Sequence, residues 1–181
     1  MRDKAFPARV RRRARVPLLG AGLGALALTA LHPPAPRLVW NASASVPIGL
    51  YRVAPGARFS AGDLVLVRLP EKARQLAARR FYLPANVPAL KRVAATRGMQ
   101  ICARGDAILI EGVHAASRMA ADRHGRKLPH WHGCRRLGEE EILLLSPAKD
   151  SFDGRYFGPS ARRDVIGTAR LIWALGGGKT P

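Results

Sequence analysis

Residues 41 to 51 read NASASVPIGLY, with Ser43 and Ser45 just ahead of Pro47 and Gly49. Pro47 fixes its own φ and pushes Val46 toward extended backbone, while Gly49 accepts geometry that other residues resist. A serine before such a corner can present its hydroxyl and its backbone N–H at a surface, as a nucleophile with an oxyanion donor requires. An ordinary turn into a strand uses the same residues, so the segment means chemistry only if a base meets it. None of the five histidines has an Asp or Glu partner in a recognisable triad pattern. A lysine can serve instead where burial disfavours its ammonium form. Lys91, in PALKRVAATRG, lies in an apolar strand-like run with Leu90, Val93, Ala94 and Ala95. With the two-residue strand period Lys91 and Val93 share a face, which points Lys91 to the core and Arg92 to solvent. From this window alone, a surface lysine on an edge strand fits at least as well.

The two cysteines, Cys102 and Cys134, allow two readings. An even pair in an exported domain suits a disulfide, closing a loop of about thirty residues and stabilising the fold by ~2–4 kcal/mol. The alternative is a metal site from HWHGC, using His130, His132 and Cys134 with Cys102 or His124 as a further ligand. That spacing is not one of the common zinc patterns, and the disulfide is the preferred reading.

The elements that must position these groups are mostly strands. GLYRV (49–53), DLVLVRL (63–69), ALKRVAA (89–95), MQICAR (99–104), AILIEG (107–112), EEEILLLS (139–146) and DVIGTARLIWAL (164–175) are short apolar runs broken by Gly, Pro and Asp. EKARQLAARRFYL (71–83) has helical composition and predicts one helix. Many short strands with turn signals predict a mainly antiparallel β domain over residues 38–175.

Ahead of it the chain carries an export pattern. The first fifteen residues hold seven Arg or Lys and one Asp, and Val16 to Leu31 is uncharged. As a helix that run spans roughly 24 Å at 1.5 Å per residue, a little short of the ~30 Å hydrocarbon core. A basic head before an apolar run reads as a signal anchor, and the positive-inside bias places the head in the cytoplasm. The organisation expected is a basic cytoplasmic head (1–15), an anchor or uncleaved signal segment (16–31), a Pro-rich spacer (32–37), the β domain (38–175) and a flexible tail (176–181). The formal charge of +19 comes from 31 Lys and Arg against 12 Asp and Glu, and the head supplies +6 of it. The rest is thinly spread with few aromatics interleaved, which argues against nucleic acid as the partner.

Four blocks, NASASVPIGLYRV, GDLVLVRL, LKRVAATRGMQI and DSFDGRYFGP…VIGTARLIW, occur in the order and approximate spacing of the motifs of bacterial type I (Lep-like) signal peptidases. The chain most resembles the TraF-type conjugative-transfer branch, over roughly residues 38–175. The resemblance implies a serine–lysine dyad protease on a signal-peptidase-like β domain, anchored in the inner membrane with its catalytic domain in the periplasm. Ser45 then matches the nucleophile, Lys91 the general base, and Ser43 a hydroxyl that completes the oxyanion hole. Ser151 matches a serine that orients the lysine, and Asp153 and Arg155 an acid and a base that brace that loop. Val46 and Leu90, flanking the two reacting residues, are expected to line a shallow substrate pocket. The branch also favours a Cys102–Cys134 disulfide over zinc, and implies neither metal nor cofactor.

Two features separate the chain from general signal peptidases. It has Ser45-Val46-Pro47 where they commonly have Ser-Met-x-Pro, and ATRGMQI where they tend to have Gly-Asp. The function expected is processing of an exported precursor by a monomeric enzyme, with a pilin precursor of a conjugative or type IV secretion system as substrate. General preprotein processing is one alternative. A non-catalytic, membrane-anchored basic protein of a DNA-transfer apparatus is another.

Overall fold

In β1 (Leu38–Asn41) and β2 (Gly49–Pro55), alternation of residue type sets the strands, Tyr51 and Val53 facing inward and Arg52 outward. β3 (Leu64–Val67), β4 (Ala89–Ala95) and β9 (Glu141–Leu145) lie mid-sheet and carry apolar residues on both faces, apart from Lys91 and the exposed Arg92 of β4 and Glu141 at the start of β9. With β10 (Ser160–Ala161) and β11 (Val165–Ala174) they form a seven-stranded antiparallel sheet in the order β1-β2-β11-β3-β4-β9-β10. β5 (Gln100–Arg104), β6 (Ala107–Ile110), β7 (Val113–Ser117) and β8 (Gly133–Arg136) form a second sheet in the order β7-β6-β5-β8. This computed structural model describes residues 35–175. The predicted basic head, anchor and tail, and the first half of the spacer, lie outside them.

Both faces of the large sheet are apolar. On one, Leu66 and Leu90 pack with Tyr51, Val53 and Val46. On the other, Val65, Val67 and Val93 pack with Ile142 and Leu144. A third cluster joins the sheets, Leu143 and Leu145 of β9 meeting Ile101, Ala103 and Ile108. The fold is mainly β and antiparallel, as the short apolar runs predict.

The helix is shorter than its composition predicts. α1 spans Glu71–Arg79 and buries Ala73 and Ala77, one turn apart, with Ala73 against Leu69 and Ala89. It stops because Phe81 turns left-handed, at φ +59°. The Phe81 N–H then bonds the Ala78 carbonyl and the Tyr82 N–H the Ala77 carbonyl, closing the helix end as a Schellman turn does. A second helix, α2 (Gly154–Phe157), is a single turn that sequence reading leaves as loop. Among the described residues no helix is long and apolar enough to cross a membrane.

Candidate active site

β1 and β2 are joined by the loop that carries Ser43 and Ser45. Pro47 directs it back over the sheet, where Val46 is buried and the Tyr51 hydroxyl donates to the Pro47 carbonyl at 2.6 Å. Ser45 is half-buried, and its Oγ lies 2.9 Å from that of Ser43. Asn41, at the end of β1, bonds several groups of this loop. Sequence reading misses it, although an Asn two residues before a Ser is a recognisable side-chain-to-backbone turn signal.

Lys91 sits in β4 opposite Val65 of β3, on the face it shares with Val93. The strand period predicts this face, and Arg92 is exposed as expected. Lys91 is 5% exposed and is no surface lysine. Its Nζ donates to Ser151 Oγ at 2.6 Å. Burial lowers its pKa to about 8; Asp153 pulls it back up, Arg155 pushes it further down, and Asp150 raises it. At a pKa near 8, about a tenth of the molecules carry the neutral amine at pH 7.

Ser151 belongs to the loop from β9 to α2, and that loop is braced internally. The Asp153 carboxylate takes the Arg155 guanidinium at 2.8 and 3.1 Å, and also accepts from the Ser146 and Arg155 backbone N–H groups. Arg155 further donates to the carbonyls of Ser117, Ser146 and Lys149. Both residues are buried, and the lone pairs and protons of the ion pair have partners, which is the condition under which such a pair is tolerated inside a protein. Gly154 permits the close packing of α2 on β9, because a Cβ there would lie 2.7 Å from the Leu144 carbonyl oxygen. Trp131 adds an outer clamp, its indole N–H donating to the Gly154 carbonyl at 3.0 Å. It comes from the segment between β7 and β8, and nothing local in the sequence signals that role.

Val46 and Leu90, the neighbours of Ser45 and Lys91, are each 5% exposed and share one apolar cluster. Val46, the neighbour of Ser45, thus packs with Leu90, while the Lys91 stem pleats to the other face of β4 and reaches Ser151. The Ser45 hydroxyl bonds Ser43 and the Lys91 amine bonds Ser151; the described contacts include no hydrogen bond between the two.

Strand β4 starts before the ladder that joins it to β9. β9 pairs with β4 only from Arg92 onward, opposite Leu145. Val93 bonds toward β3, through its N–H to Asp63 and its carbonyl from Gly62. By alternation the Leu90 N–H and C=O point away from β3, beyond the end of β9.

Cys102 and Cys134 stand opposite each other in the β5–β8 register and are joined as a disulfide. The Cys134 sulfur is thus committed, and the zinc alternative built on it is not what the structure holds. Among the described residues no group of three or more His, Cys, Asp or Glu side chains is arranged to hold a metal ion.

A loop carrying two serines and a buried lysine of lowered pKa on an antiparallel β fold are features that a peptidase of the signal-peptidase class would present. Residues 11–174 match the family described as signal peptidase, peptidase S26, and the chain belongs to it. Its relatives include two plasmid transfer proteins TraF of Escherichia coli. One is 31% identical over 91% of this chain and 97% of its own length, the other 32% identical over 74% and 82%. The conjugal transfer protein TraF of Agrobacterium fabrum is 33% identical over 75% of this chain and 81% of its own length. A solved signal peptidase I of Enterococcus faecalis aligns with 62% of this chain and 97% of its own at 16% identity and a TM-score of 0.37, too distant to carry residue roles. The resemblance drawn from the four sequence blocks, to the TraF branch of this family, is borne out.

Proposed function

We propose that the chain is a serine endopeptidase of the serine–lysine type that processes an exported precursor, with Ser45 as nucleophile and Lys91 as general base. One observation carries this reading: a lysine on a central strand, buried, of lowered pKa, and held by a serine whose loop is braced by a buried ion pair. A structural lysine has no need of such an arrangement, whereas a base that must be uncharged does.

The steps follow from the groups present. A precursor peptide adds as a strand beside Leu90 of β4, beyond the end of β9. The Ser45 hydroxyl turns from Ser43 to the neutral Lys91 amine, gives it the proton, and attacks the scissile carbonyl. The Ser45 N–H and the Ser43 hydroxyl stabilise the oxyanion. The lysine ammonium returns the proton to the leaving amine, leaving an ester on Ser45. Water, deprotonated by the same lysine, then hydrolyses the ester. Val46 and Leu90 leave little room beneath the bound peptide, which suits small side chains before the scissile bond.

The relatives named as plasmid and conjugal transfer proteins suggest a precursor of the conjugation machinery as substrate, and the resemblance of the four sequence blocks implies a pilin. The basic head before an apolar run supports an envelope location, with residues 16–31 as anchor and residues 38–175 as the catalytic domain in the periplasm. The test is co-expression with candidate pilin precursors, reading precursor and product masses. Ser45→Ala and Lys91→Ala should each abolish cleavage while the protein still folds and fractionates with membranes. Cleavage at the normal rate by either variant sinks the dyad.

A further inference from the structure

We propose that Asn41 is a positioning residue of the serine loop, acting on Ser45 through Ser43; this rests on the reading of Ser45 as nucleophile. Asn41 is buried, and both ends of its carboxamide are engaged. Nδ2 donates to the carbonyls of Ser43 at 2.8 Å, Val46 at 3.1 Å and Pro47 at 3.0 Å. Oδ1 accepts from the Ser43 N–H at 3.2 Å and the Ser43 hydroxyl at 3.1 Å. The orientation of the amide follows from its surroundings, since three carbonyls require the donor end and a backbone N–H requires the acceptor end.

Two consequences bear on the reaction. Gathering the carbonyls of residues 43, 46 and 47 on the inner side of the bend leaves the Ser45 N–H without an acceptor among the described residues, free for a developing oxyanion. Secondly, Ser43 has one hydroxyl hydrogen, and its bond to Asn41 Oδ1 uses it. In the 2.9 Å contact between the two serines, Ser45 is therefore the donor. The result is a directed relay, from the Ser45 hydroxyl to Ser43 Oγ to Asn41 Oδ1, that holds both serine side chains in defined orientations. When Ser43 turns its hydrogen toward an oxyanion, Asn41 keeps its bonds to the backbone of residues 43, 46 and 47, so the loop holds its shape through the turn.

An asparagine that merely caps a loop would alter stability and leave the chemistry of folded molecules alone. The test therefore reads chemistry. It uses the full chain in detergent micelles and an internally quenched peptide with alanine just before the scissile bond. The variants are Asn41→Leu, which keeps the volume and removes every bond, Asn41→Asp, which keeps the acceptor, Ser43→Ala, and the double variants. Asn41→Leu is expected to lower kcat by roughly ten- to a hundredfold, with KM unchanged within about twofold, as for a group acting at the transition state. Asn41→Asp should retain more of the rate. In the Ser43→Ala background the Asn41→Leu loss should shrink severalfold, because the group it acts through is gone. Wild-type kcat in a folded Asn41→Leu protein, or additive losses in the cycle, overturns the proposal. Should Asn41→Leu fail to fold by circular dichroism, the Asn41→Asp cycle is read by the same criterion, additive losses again overturning the proposal. The reading beneath it fails separately: a Ser45→Ala variant that still cleaves ends both, whereas an inert Ser45→Ala beside fully active Asn41 variants ends only the role of Asn41.

Discussion

Lys91 and Ser151, sixty positions apart, meet in a buried hydrogen bond of 2.6 Å. The bond ties the central strand β4 to the loop that follows β9. That loop is fixed by the Asp153–Arg155 pair, by the packing of Gly154 on β9 and by the Trp131 clamp. The position of the amine is thus set largely by elements that do not contain it. Its low pKa has the same origin, because it is the packing of both β4 faces that removes Lys91 from water.

The first prediction concerns the rate against pH. If the neutral amine is the reacting form, kcat/KM should climb about tenfold per unit on the acid side and level off above the Lys91 pKa of about 8. Initial rates with a quenched peptide across that range measure it. A flat acid limb removes Lys91 as the base.

Stability should run against activity at this position. Folding moves Lys91 from 10.5 down to about 8, so the folded state resists the proton that the unfolded chain binds. The resulting penalty is full below pH 8, declines as pH rises from 8 to 10.5, and is absent above that. A shift of that size corresponds to roughly 3 kcal/mol, from which about 1 kcal/mol is lost when Ser151 gives up its partner. Lys91→Met, inactive by the mechanism above, should therefore be about 1–2 kcal/mol more stable than the parent at pH 7, with the advantage fading toward pH 10. Denaturant midpoints at the two pH values decide it. A variant less stable at pH 7 would mean that the lysine is buried as a satisfied structural ion.

How much of this arrangement is legible in the sequence depends on the range over which each feature is determined. β4 is read with its observed limits, Ala89–Ala95, because alternation and β-branched content are local properties. The face of Lys91 follows from the same period. β8 (GCRR) is missed because all four of its residues are exposed and it has no apolar pattern; its partner β5 and the disulfide hold it. β1 and α2 escape for a related reason, each being a four-residue element whose form comes from what it packs against. The helix is read four residues too long, since nothing in ARRFYL marks Phe81 for left-handed backbone. In the site, Ser43, Ser45, Ser151, Asp153 and Arg155 come from motif resemblance, and single windows would leave them as turn residues. Asn41 is passed over although its spacing from Ser43 is a turn signal, and Trp131 escapes altogether because its partner is a backbone carbonyl, which leaves no trace in residue type.

The disulfide should carry part of the stability and little of the chemistry. Cys102 and Cys134 are 32 positions apart, a closure that stabilises by about 3–4 kcal/mol in the chain-entropy account. Cys102→Ser/Cys134→Ser should unfold at correspondingly lower denaturant. The intact protein, measured without reductant, should weigh two hydrogens less than its sequence. Because β8 follows the segment that delivers Trp131, some loss of kcat is expected as well, smaller than for any change at Lys91 or Ser45. Equal midpoints with and without reductant would show that the ladder between β5 and β8 suffices alone.

The last prediction concerns which side chain is accepted before the scissile bond. Leu90 lies where β4 runs beyond the end of β9, in one apolar cluster with Leu66, Tyr51 and Val46, and under the proposed function a precursor peptide adds there. In the proposed binding mode its bulk limits the substrate side chain that fits. Leu90→Ala removes that bulk while keeping the backbone N–H and C=O that pair with the peptide. It should lower stability by about 2–4 kcal/mol, as for other large-to-small core changes. In return it should shift preference from alanine toward valine before the scissile bond, by roughly tenfold in the ratio of kcat/KM values, the effect of one or two methyl groups in an apolar pocket. Competition between alanine and valine peptides reads the ratio directly and is insensitive to the fraction folded. An unchanged ratio in the variant would move the specificity pocket away from Leu90, to the Val46 side of the bend or beyond it.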